Sequence, residues 1–149
     1  MPWSTISVAV ATALGSVLIG GGLYEYLVVD PFWPKRPDLL QPGRGGIVRG
    51  RFWVPAHTLF ELVLIVSLIG AWKIYDVRFW LLHALVVHAA TRIWSAFYFI
   101  PRALAFEKAA SVDEAVARKW TRLSKLRFPL ELLTLGFLFR ALYAAIRIG

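Results

Sequence analysis

Four stretches of this chain, at about 6–29, 52–72, 79–100 and 128–146, are apolar for long enough to cross a lipid bilayer. A span needs about 20 residues at 1.5 Å rise each. Backbone amides and carbonyls find no water in hydrocarbon, so spans of this kind must satisfy them internally as helices. The predicted fold is therefore all-α, a single domain over residues 1–149 built as an integral membrane four-helix bundle. A 58% hydrophobic composition and a mean hydropathy of +0.62 point the same way. The first stretch has no basic lead-in and exceeds the apolar length of a cleaved signal peptide, so it reads as a span.

The basic residues give an orientation. The loop at 30–50 and its edge carry Lys35, Arg36, Arg44, Arg49 and Arg51. Between the third and fourth spans lie Arg102, Lys108, Arg118, Lys119, Arg122, Lys125 and Arg127. One side thus holds 12 of the 17 Lys and Arg residues, while Lys73, Arg78 and Arg147 mark the other. The positive-inside rule places both long loops in the cytoplasm of a bacterial inner membrane, with both termini periplasmic. The net charge of +8 then implies membrane lipids as partners, through anionic headgroups, and not nucleic acid.

Between the spans, 30–50 is rich in Pro and Gly and predicts an extended, structured cap, with Phe32 and Trp33 at the interface. Within it the run Pro42, Gly43, Arg44, Gly45, Gly46 reads as a turn, with a phosphate cradle as the alternative. Residues 112–127 predict an additional amphipathic cytoplasmic interfacial helix. Ser111 and Glu114 form its capping box. Val112, Val116, Trp120 and Leu123 line its apolar face, and Arg118, Lys119, Arg122 and Lys125 its basic one. The first span carries Gly15, Gly22 and Glu25 on a face of small residues, which lets helices approach closely in lipid.

Ionisable side chains within apolar spans are costly and mark functional sites. Glu25, His57, Glu61, His88, Arg92, Arg127 and Glu131 all lie in or beside the four stretches. Three pairs, His57/Glu61, His88/Arg92 and Arg127/Glu131, have i,i+4 spacing, which puts both members on one helix face. Counted from the cytoplasmic ends, most sit roughly 5–13 Å deep and His88 roughly 18 Å, so all four helices contribute to one layer. Such a layer either locks helices in register or binds a ligand. Two imidazoles and three carboxylates exceed what register requires. His57, Glu61, His88 and Arg92 are the catalytic candidates by acid–base chemistry. Glu25, Trp94, Tyr98, Arg127 and Glu131 are ligand-binding candidates, the two aromatics as a wall for a planar molecule. No metal ligand set is assigned: two arginines repel a cation, and the Glu-x-x-His spacing of di-iron bundles is missing. The cofactor is left unknown. With no cysteine, thiol-redox and thiolate–metal chemistry are excluded.

Tyr24-Glu25, then Pro31-Phe32-Trp33 and Pro37, then Gly50-Arg51-Phe52-Trp53-Val54-Pro55-Ala56-His57, and Phe97-Tyr98-Phe99-Ile100-Pro101 form a recurring set of motifs. Together they resemble small bacterial four-helix membrane proteins of the anthrone-oxygenase-like family, most without an assigned function. The resemblance implies a helical bundle and, in a few relatives, oxygenation of polyketide anthrones without an obvious cofactor. It marks Glu25, Trp33, Arg51, Trp53 and His57 as family positions. In size and basicity the chain also resembles, distantly, the membrane glutathione-transferase and eicosanoid-enzyme family, whose second-span signature needs an Asn this chain lacks. The functional expectation is a membrane-bound oxidoreductase or oxygenase-like protein acting on a lipophilic, aromatic or quinone-like small molecule. The alternative is a non-catalytic complex subunit or assembly factor, as a homo-oligomer or with another membrane protein.

Overall fold

The computed structural model describes residues 2–148 and contains no β-strand among them. Four long helices cover the four apolar stretches: α1 at Trp3–Tyr24, α2 at Gly50–Gly70, α3 at Tyr75–Trp94 and α6 at Phe128–Ile148. Two shorter ones, α4 at Ile100–Lys108 and α5 at Glu114–Lys125, lie between α3 and α6. Three helical segments are long and apolar enough to cross a membrane: Trp3–Val29, Gly50–Gly70 and Glu114–Ile148. Helix α3, carrying His83, His88 and Arg92, is not among them.

Helix α6 packs along both α1 and α3, and α1 along α2, whereas α2 and α3 touch much less although a short turn joins them. Small residues permit the close approaches. A Cβ on Gly15 would sit 3.1 Å from Leu138, and one on Gly21 would press into the ring of Phe52 at 2.5 Å. The small face of α1 is thus used within the bundle. Val8, Ala11, Phe60, Leu64, Leu81, Ala84, Leu138 and Ala141 fill the main core. A second core, of Val29, Trp33, Leu40, Phe99, Ala117 and Trp120, joins the 30–50 loop to α4 and α5.

Two wide turns interrupt the long helices, and each stops one residue short of a proline. In the turn Glu25–Val29 the Asp30 amide donates to the Glu25 carbonyl at 2.8 Å, just before Pro31. In the turn Ser95–Phe99 the Ile100 amide reaches the Ser95 carbonyl, just before Pro101. A proline ring clashes with the carbonyl four residues back and offers no N–H of its own. Widening the preceding turn relieves that clash; the helix runs on past Ser95–Phe99, whereas after Val29 it gives way to a turn over 30–35. The chain therefore stays helical beyond the apolar stretch at 79–100, past Pro101 and through Lys108.

The 30–50 loop is less extended than predicted, with two short 3₁₀ turns, Pro37–Leu40 and Pro42–Arg44, each led by its proline. Gln41 latches it down, its Nε2 donating to the carbonyls of Phe106 and Ala109 at 3.0 and 2.9 Å, where the end of α4 leaves carbonyls free. Gly46 lies against the backbone of Asp38, Leu39 and Gln41, where any Cβ would clash. Trp33 is fully buried and not interfacial, between Phe106 and Trp120 at ring distances of 5.4 and 5.7 Å. Phe32 is the exposed partner. In α5 the cap is Asp113, not Ser111: its carboxylate accepts from the Ala115 and Val116 amides. The buried face of α5 is Ala117, Trp120, Thr121 and Ser124, which leaves Val116 exposed.

Candidate functional site

Glu25 opens the wide turn at the end of α1 and accepts a hydrogen bond from the Trp53 indole at 2.7 Å. Trp53 lies in the first turn of α2, and its ring stacks on His57 one turn later, at 5.5 Å and 25°. Across the seam His57 approaches His88 of α3, ring to ring at 6.0 Å. Phe60 meets His88 edge-on at 4.8 Å and closes the floor toward the main core.

The i,i+4 pairs do not bond within their own helices. Glu61 instead bridges α2 to α3, a pair that packs much less closely than α3 with α6. Its Oε1 accepts from Arg92 Nε at 2.8 Å and lies 3.3 Å from His88 Nε2. The Glu61 side chain is 39% exposed, so the bridge reaches the outer edge of the seam. Arg127 does not pair with Glu131. Its guanidinium donates to the hydroxyls of Ser95 and Ser124 at 2.9 and 2.8 Å and rests 4.3 Å over Phe99. It thereby ties the α5–α6 junction to the wide turn after α3. Glu131 faces Gly22 of α1, and its carboxylate has no hydrogen-bond or ion-pair partner among the described residues.

Between the two cores lies a cleft of about 310 Å³. Glu25, His57, Arg92, Arg127 and Glu131 line it, together with the apolar Val48, Val54, Ile100, Ala103 and Leu104. Against its floor is a chamber of about 30 Å³, bordered by His57, His88, Thr91 and Arg92. That is room for a water or two. Five of the seven charged or imidazole residues singled out in the sequence thus share one cleft, and Glu61 and His88 adjoin it. Trp94 and Tyr98 do not line it. They pack on the second core, and Tyr98 lies under the Arg102 guanidinium at 3.8 Å. His83 lies apart, its Nδ1 on the Phe79 carbonyl and its ring beside Phe137.

Sequence reasoning overlooked several contributors. Trp53 reads there as an interfacial anchor, although its place four residues before His57 is a signal. Arg49 and Glu107 pair at 3.5 Å beside the cleft, from a loop and a helix that no motif connects. The 42–46 run is no phosphate cradle, because the amides of Arg44, Gly45, Gly46 and Ile47 are spent on Gln41, Pro42 and Leu39 carbonyls.

Asp30, just past the first apolar stretch, is buried and accepts the Trp33 indole at 3.1 Å. Burial pushes its carboxyl up to about 6, with the nearby Glu25 adding to the rise. The folded state therefore holds the proton more tightly than the unfolded chain. The associated stability is complete below about pH 4 and lost as pH rises through about 6. Unfolding midpoints measured from pH 4.5 to 7.5 should fall across that window, and Asp30→Asn should flatten the slope. An unchanged slope would show that another group titrates.

Comparison with protein-family models, with curated proteins and with solved structures finds no match. What stands is a class: an all-helical chain, with three segments able to cross a membrane by length and composition, and a polar cleft between two cores.

Proposed function

We propose that this chain is a four-span protein of the bacterial inner membrane that transfers protons to or from a lipophilic, aromatic or quinone-like molecule. One observation carries the reading: apolar side chains, two arginines and a histidine with an unpartnered ring nitrogen line the same cleft. His57 Nδ1 is buried with no hydrogen-bond partner. Buried polar atoms are rarely left so, and those that are call for a ligand, water or catalytic role. An imidazole placed thus can take a proton from an acidic C–H or O–H of a conjugated ring. Arg92 and Arg127 then stabilise the oxyanion that forms. The apolar side accepts the rest of the molecule, as ligand sites generally do. This chemistry agrees with the anthrone-oxygenase-like resemblance, in which oxygen would react with the deprotonated ring.

The membrane part rests on apolar outer faces, with Ile69 68% and Val86 66% exposed. Contiguous apolar exterior of this kind is uncommon in soluble monomers. The basic α5 and the 30–50 loop supply the cytoplasmic side. Because the chain has no cysteine, single cysteines report topology directly. In intact cells a membrane-impermeant maleimide should label Lys73→Cys but reach Gly43→Cys only after permeabilisation; the reverse pattern inverts the orientation.

The cleft reading is tested by mass spectrometry of small molecules retained after mild-detergent purification. The parent should carry a conjugated lipophile, and Ala103→Trp, which fills the cleft, should lose it at an unchanged unfolding midpoint. Equal retention by both proteins would place the lipophile elsewhere and sink the reading. For the alternative, a non-catalytic complex subunit, Gly20 is the α1 glycine that faces open space, since Gly15, Gly21 and Gly22 face neighbours within the bundle.

A further inference from the structure

His57, Glu61 and His88 each offer one ligand atom, and these atoms all lie within 4.8 Å of one another. The 3.3 Å between His88 Nε2 and Glu61 Oε1 is the separation two ligands adopt around a tetrahedral ion at about 2.0–2.2 Å from each. The i,i+4 spacing of His57 and Glu61 puts two ligands on one face of α2, and α3 supplies the third across the loosely packed seam. The unpartnered His57 Nδ1 is the second observation. His83, elsewhere on α3, directs its Nδ1 to the carbonyl one turn back, a partner open to any helical histidine and not taken by His57. The carboxylate is also half free: Arg92 Nε holds Oε1 at 2.8 Å, and Oε2 makes no hydrogen bond among the described residues. An outer group that fixes a ligand's orientation is the usual support of a metal site. The objection from two arginines in the layer weakens because Arg92 is ion-paired to Glu61 at 2.8 Å, whereas Arg127, bonded to neutral serines, keeps its charge. Glu25 and Glu131 add negative charge nearby.

We propose that His57, Glu61 and His88 form a three-ligand site for a divalent first-row transition ion, with its open positions toward the small chamber. Two imidazoles and one carboxylate with open positions suit zinc or ferrous iron. The chamber has room for an ion-bound water.

The test uses the full chain in mild detergent, stripped with chelator and titrated with cobalt(II), followed by visible d–d absorption and equilibrium metal analysis. One cobalt per chain is expected, displaced by zinc. His57→Ala, Glu61→Gln and His88→Ala should each weaken it at least about 100-fold, beyond the loss usual for outer-shell changes. His83→Ala should bind as the parent does. No uptake by the parent, or uptake indifferent to Glu61→Gln, overturns the proposal. Should His88→Ala fail to fold, Glu61→Gln decides alone, because it keeps the side chain's shape. Cobalt uptake is read without any organic ligand and lipophile retention without metal, so failure of one is told apart from failure of the other; an ion bound by His57 takes the lone pair that the cleft reading assigns to proton transfer.

Discussion

Replacing Trp33 with alanine is expected to cost about 3–5 kcal/mol, the range for deleting a large aromatic from a packed core. The indole has no exposed surface, and its Nε1 donates to Asp30 at 3.1 Å. Phe106 and Trp120 hold its two sides, and Trp120 in turn donates to the Phe99 carbonyl at 3.2 Å. Alanine leaves a cavity, removes a donor from a buried carboxylate and uncouples the 30–50 loop from α4 and α5. Chemical unfolding in detergent should show the full loss. Trp33→Phe, which keeps the ring and drops the donor, should recover most of it. A Trp33→Ala protein as stable as the parent would mean that the second core contributes little to folding.

His57→Ala should carry the largest functional effect. With the retained lipophile as substrate, loss of a positioned acid–base group lowers turnover by about 10²–10⁴-fold. The substitution removes a partly exposed ring that stacks on Trp53 and makes no hydrogen bond through Nδ1, so the folded protein should persist. Glu25→Gln, at the far side of Trp53, should act through ring placement and change turnover less. Steady-state turnover and circular dichroism on the same preparations separate the two effects. A folded His57→Ala protein with parental turnover would remove His57 from the chemistry.

The long helices were legible because a span must be helical and about 20 residues long, which leaves little freedom. The polar layer was legible for a related reason: a charge in such a segment has few places to go. What failed was phase and partnership. The extra residue in the turn Ser95–Phe99 breaks the 100° step on which faces are counted, so Tyr98 cannot be placed from Arg92. Trp94, two residues from Arg92, lies about 200° around even a regular helix. Trp33 looks like an interfacial anchor because its burial depends on Phe106 and Trp120, which are distant in sequence. The Arg127 pairing was misjudged because serines are invisible to a search for charges, yet Ser95 and Ser124 take both of its terminal nitrogens.

The two widened turns are points of local leverage in otherwise regular helices. Each holds one residue more than an α-turn, and losing one presses the following proline ring against the carbonyl four residues back and bends the chain there. Glu25 and Tyr26 from one turn, and Ser95 and Phe99 from the other, border the same cleft. A one-residue change in either would re-aim one wall and leave the other in place, resizing the cavity without redesigning the scaffold.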